Sequence, residues 1–70
     1  MSLHNINVVL EPSDEGGFTV FAPDHPGLIS EGGTLEQSLA NIRDAAALYF
    51  DCLLRDVEIE NYEVRNASDD

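Results

Sequence analysis

Asp24 and His25 stand together between two prolines, in Pro23-Asp24-His25-Pro26-Gly27, and are the neighbours in this chain best suited to chemistry near neutral pH. A histidine titrates in that range, and an adjacent carboxylate can orient its ring for general acid–base work. No nucleophile or oxyanion-stabilising motif accompanies them, so use of the loop as structure or as a partner contact outweighs catalysis. Paired carboxylates could instead hold Mg²⁺ for phosphodiester cleavage. Such a site needs acids in the middle of a sheet, where the first apolar segment has Asn7, Val8 and Val9, while Glu11, Asp14 and Glu15 fall in or beside a turn. Asp56, Glu58, Glu60 and Glu63 alternate along a later segment and read as a solvated face. Gly32-Gly33-Thr34 leads into a helix start, a general anion site. It lacks the lysine of a phosphate-binding loop, and Glu31 and Glu36 bracket it. No catalytic residue, metal site or cofactor is therefore expected. Cys52 reads as a small core residue and His4 as an exposed terminal one.

The elements that must carry these residues are short and separated by Gly and Pro. Asn5–Glu11 reads as a strand with Ile6, Val8 and Leu10 on one face and Val9 on the other. Pro12-Ser13-Asp14-Glu15-Gly16-Gly17 is turn chemistry and predicts a hairpin into Phe18–Ala22, with Phe18, Val20 and Ala22 inward and Thr19 and Phe21 outward. The stiff Pro23–Gly27 loop leads to a short strand, Leu28–Glu31. Thr34 then caps a helix, with Gln37 at capping-box spacing. Leu35, Leu39, Ile42, Ala46, Tyr49 and Leu53 form its apolar stripe, which carries the helix past Asp51 and predicts an Asp51–Arg55 pair one turn apart. Val57–Val64 reads as a fourth strand, with Val57 and Ile59 alternating, then Tyr62 and Val64. The expected fold is α+β, a two-layer β-β-β-α-β sandwich with one helix on a mainly antiparallel four-stranded sheet. It forms a single domain over residues 1–65, followed by a disordered acidic tail over 66–70.

Charge narrows what such a domain can bind. Fourteen Asp and Glu stand against three Arg (Arg43, Arg55 and Arg65) and no Lys, a formal charge of −11 in 70 residues. A protein that binds nucleic acid typically neutralises about 6–10 phosphates with basic side chains, so direct nucleic-acid binding is not expected. Anionic membranes are disfavoured by the same field, and a basic protein is the favoured partner. Met1–Glu11 has neither a basic start nor a long apolar run, and a cytoplasmic location is expected. The absence of lysine also fits a salt-rich cytoplasm.

Size adds a second inference. A domain this small buries only about 60% of the surface its unfolded chain exposes. Its single cysteine leaves no internal disulfide to help. Four strands about 4.8 Å apart make a sheet wider than one helix of about 10–12 Å diameter can cover. A homodimer or tetramer is expected to cover the rest, with Val9, Phe21, Leu48, Phe50 and Leu54 as candidate interface residues.

The segments Asp14-Glu15-Gly16-Gly17-Phe18, Pro23-Asp24-His25-Pro26-Gly27 and Glu31-Gly32-Gly33-Thr34-Leu35-Glu36-Gln37, followed by an Ala-rich helix, together resemble HicB-type antitoxins over about residues 5–54. The resemblance implies a partial RNase H-like fold and a non-enzymatic protein. It also implies a basic HicA-type partner, a small toxin that cuts messenger RNA and would be neutralised by occlusion of its RNA-binding surface. Asp24, His25, Pro26, Gly27 and Glu31 are the expected toxin contacts, and Gly16, Gly17, Pro23, Gly32 and Thr34 the structural motif. His25 departs from the family, which commonly has an apolar residue there. Longer HicB members continue into a DNA-binding segment, so autorepression by this chain alone is not expected. The alternative is an orphan interaction module of the same fold with no toxin partner.

Overall fold

The computed structural model describes residues 3–65. Strands β1 (His4–Pro12), β2 (Phe18–Phe21) and β3 (Ile29–Gly32) precede helix α1 (Leu35–Phe50), and a 3₁₀ turn (Leu54–Asp56) leads into β4 (Val57–Val64). The sheet order is β3-β2-β1-β4; β1–β2 and β2–β3 pair antiparallel, and β1–β4 pairs parallel. This is the expected α+β arrangement of one helix on a four-stranded, mixed sheet.

The change of phase along β4 has a physical origin. His4, Asn5 and Ile6 pair with Val57, Glu58 and Ile59, but Asn7 pairs with Asn61, so Glu60 is an extra residue in β4. A bulge of one residue moves every later side chain to the other face of the sheet. Tyr62 and Val64 are thereby returned to the helix side, in register with Val8 and Leu10. Asn61 Nδ2 donates to Asn7 Oδ1 (3.2 Å) just past the bulge, on the opposite face.

Turns and caps set the remaining geometry. Gly16 N–H donates to Ser13 O and Ser13 N–H to Gly17 O, both at 3.0 Å, closing the β1–β2 hairpin. Gly17 has φ +79, and a Cβ there would lie 2.5 Å from Gly32 O, so only glycine meets both demands. At Gly32 a Cβ would lie 2.5 Å from the backbone nitrogen of Ser38, which seats the first turn of α1 directly against the end of β3. Thr34 Oγ1 accepts from Gln37 N–H (3.0 Å), the expected cap, while Gln37 Oε1 accepts from Gly33 N–H (3.1 Å), one residue before the cap. Ser38 is fully buried and donates through Oγ to Thr34 O (2.8 Å).

The core joins Ile6, Val8 and Leu10 of β1 to Val20, Ala22, Leu28, Ile42, Ala46 and Val57. Burial of one such aliphatic side chain contributes about 1.5–3 kcal/mol, a large share of the stability of a small domain.

Several expectations are corrected. The helix stops at Phe50, because Asp51 adopts a left-handed conformation (φ 58, ψ 52). Its N–H donates to Leu48 O (3.2 Å) and that of Cys52 to Ala47 O (2.9 Å), a Schellman closure with aspartate at the position usually held by glycine. Leu53 and Leu54 therefore lie beyond the helix, and the helical Asp51–Arg55 pair does not exist. His4 is half-buried within β1 rather than an exposed terminal residue. Val9 faces away from the helix as expected but is only 5% exposed, flanked in register by Phe21 and Glu63, so it offers little interface area of its own. The acidic tail over 66–70 lies outside the described residues.

Candidate partner-binding surface

The Pro23–Gly27 segment is built from two successive turns. His25 N–H donates to Ala22 O, and Leu28 N–H donates to His25 O, each at 3.0 Å. Each turn has proline at its second position, and the second has Gly27 at φ +89 in its third, the requirement of a type II turn. Ala22 N–H to Leu28 O (3.0 Å) closes the base. Pro23, Asp24, Pro26 and Gly27 are exposed.

Aromatic contacts clamp this loop to the end of α1. Tyr49 Oη donates to Pro26 O (2.8 Å). The His25 ring meets Phe50 edge-on at 5.0 Å and Tyr49 at 6.0 Å, while His4 stacks flat on Phe50 at 4.3 Å. Both histidines of the chain thus converge on one phenylalanine. From sequence alone His4 reads as an exposed terminal residue, His25 as a loop contact and Phe50 as an interface residue; residues this far apart in the chain carry no local signal that they will meet.

On its other side the loop borders an open groove shared with Phe21 and Ile29. Register places Val9, Phe21 and Ile29 in one row across β1, β2 and β3, on the face away from the helix. The loop residues and Phe21 therefore belong to one continuous surface. Glu31 lies two residues beyond Ile29 on the same face, paired with Thr19 toward the β1–β2 turn, and lines an adjoining groove with Ile29. Leu48 is 85% exposed, and with Leu53 and Leu54 it leaves apolar surface at the helix end. Phe50 is half-buried against the core.

The charges are distributed unevenly. Asp14, Glu15, Asp24, Glu31, Glu58, Glu60 and Glu63 are all exposed. Of the three cations, Arg43 is committed to the backbone, donating from Nε to Val57 O and from Nη2 to Leu54 O at 3.2 Å each, which braces the 3₁₀ turn and the start of β4. Arg65 lies 3.7 Å from Glu63 in an exposed pair of little energetic weight. Burial, followed by the Asp56 and Asp51 charges, pushes the Cys52 thiol pKa above its ordinary value. Among the described residues no group of three or more His, Cys, Asp or Glu is placed to hold a metal ion, and no helix is long and apolar enough to cross a membrane.

A family model described as "HicB_like antitoxin of bacterial toxin-antitoxin system" matches residues 6–68. The chain belongs to the HicB-like antitoxin family. It is 36% identical over 52 residues to a UPF0150 protein of Synechocystis sp., covering 74% of this chain and 66% of that protein. To a UPF0150 protein of Helicobacter pylori it is 43% identical over 44 residues, 63% of this chain and 60% of the relative. To Antitoxin HicB 1 of Photorhabdus laumondii it is 39% identical over 51 residues, 73% of this chain and 33% of the relative. The matched stretch thus spans less than two-thirds of each of these relatives. No solved structure matches the chain, so the likeness to RNase H stays an implication of the family resemblance.

Proposed function

We propose that this HicB-like chain is a non-catalytic cytoplasmic antitoxin that neutralises a small basic HicA-type toxin by covering the surface with which the toxin grips and cuts messenger RNA. The observation that carries this reading is the acidity of a chain in a HicB-like family: of the twelve acids among the described residues ten are exposed, with one exposed ion pair among them and Arg43 held by its own backbone. Exposed carboxylates opposite toxin Lys and Arg take the place of RNA phosphate, and their field accelerates encounter. The loop carries exposed Asp24 between Pro23 and His25, both of which line the apolar groove, so that Pro26 and His25 supply shape and Asp24 supplies charge beside it. Glu31 contributes from further along the same face of β3, beyond Ile29. The exposed leucines at the helix end, Leu48 and Leu54, support a homodimer or tetramer.

The test is co-elution of the full chain with the small basic protein encoded beside it. A stable complex at low salt that weakens as salt rises is expected; failure to co-elute at low salt removes the proposal. Asp24→Lys should impair neutralisation at least about tenfold while leaving the folded state intact, because exposed loop substitutions usually change stability by less than about 0.5 kcal/mol. Unchanged neutralisation would exclude the loop from the contact.

A further inference from the structure

β4 is the terminal strand of the sheet, and among the described residues nothing pairs with its outer edge. The directions of its backbone groups follow from one bond. Arg65 N–H donates to Leu10 O of β1 (2.7 Å), so by the alternation of a strand the N–H groups of Glu63 and Asn61 also turn toward β1. Those of Tyr62 and Val64 point away from it, to the open edge. The two faces beside that edge differ in chemistry. On the helix side Tyr62 and Val64 remain 52% and 49% exposed and stand outside the core cluster. On the other side stand Glu58 and Glu63, with Glu60 at the bulge between them. The opposite edge is less available: β3 has four residues, and Asn41 Nδ2 already donates to Glu31 O (2.7 Å).

We infer that the free edge of β4 is a strand-docking site for the basic partner, accepting an extended segment in which Lys or Arg alternates with apolar residues. The apolar residues continue the helix-side face onto Tyr62 and Val64, the basic ones meet Glu63 and Glu58, and main-chain hydrogen bonds at Tyr62 and Val64 extend the sheet. This rests on the antitoxin reading and adds to it the place and form of a contact distant from the Pro23–Gly27 loop. A second copy of the chain fits the edge poorly. It would bring the same three glutamates against themselves between two chains of charge −11 each, and like charges across neighbouring strands are destabilising.

The probe is a short peptide in which lysine and valine alternate, compared with a peptide of the same composition whose lysines are grouped at one end. Amide hydrogen exchange is followed on the full chain. The alternating peptide should slow exchange at Tyr62 and Val64 by about tenfold or more, and the grouped peptide should not. Val64→Pro removes an edge N–H without touching the β1–β4 ladder and should weaken binding about tenfold; Val64→Ala, which keeps that N–H, should weaken it only about two- to threefold. Equal protection by both peptides, none at either amide, or equal loss in the two variants would overturn the inference. So would a self-associated form of the chain that Val64→Pro alone dissolves, which assigns the edge to a second copy. If Val64→Pro does not fold, the exchange pattern of the unaltered chain decides. A toxin complex without protection at Tyr62 and Val64 ends this inference and leaves the antitoxin reading standing; peptide protection with no toxin complex does the reverse.

Discussion

Cys52 follows the helix terminus and is half-buried against the core, between Asp51 and Asp56. Burial first, and then the two carboxylates, hold its pKa above that of an ordinary thiol. The thiolate is the reactive form, so at any pH below that raised value the fraction available to an alkylating reagent is smaller than for a free cysteine. Alkylation by iodoacetamide at pH 8 should run slower than for free cysteine. Chemical denaturation should restore the ordinary rate. A native rate equal to that of free cysteine would contradict the burial and charge assigned to this thiol. Phe50, two residues earlier, illustrates why the site was only partly legible. The loop's two prolines and its glycine announce stiff turns from the sequence, and two turns are what form. That His4 and His25 would both settle on Phe50 depends on bringing together positions 4, 25 and 50, which no local spacing encodes.

The end of α1 shows the same limit from the side of secondary structure. Its start was legible because Thr34 and Gln37 act within one turn of each other. The stop was hidden because the stripe Ala46, Tyr49, Leu53 keeps helical spacing past the true terminus and no glycine marks the left-handed residue. A non-glycine residue there costs about 1–2 kcal/mol, less for aspartate, and a negative charge at a helix C-terminus is unfavourable by about 0.3–1 kcal/mol. Asp51→Gly should therefore raise stability by about 1 kcal/mol in urea denaturation, after the entropy lost by glycine on folding is subtracted. Asp51→Ala should not, because it relieves the charge but keeps the strain. Should Asp51→Gly prove destabilising, the Schellman closure would not be the device that ends the helix. The variant should also quicken Cys52 alkylation, since one of the charges holding the thiol protonated is gone. β4, by contrast, was legible to the residue, and the break in its hydrophobic alternation between Ile59 and Tyr62 was the bulge written in the sequence.

Taken together, the sheet, helix and loop hold a charge of −11 on a molecule whose described part contains one weak, exposed ion pair. Acids so numerous repel one another more strongly when folded, because folding brings them closer than they lie in an expanded chain. Salt screens that repulsion: the Debye length falls from about 30 Å at 0.01 M to about 10 Å at 0.1 M. The isolated chain should therefore become more stable as NaCl rises through that range, with its urea midpoint moving upward. Attraction to a basic toxin is screened by the same ions, so the complex should weaken over the same interval. One field thus predicts two salt responses of opposite sign. Urea titrations of the chain alone, paired with affinity measurements at matched salt, separate this from a general salt effect on solubility or folding, which would move both in one direction. A urea midpoint that falls or stays flat as salt rises would mean that the acids are already compensated within the folded chain. The negative surface would then lose its place as the feature a basic partner recognises.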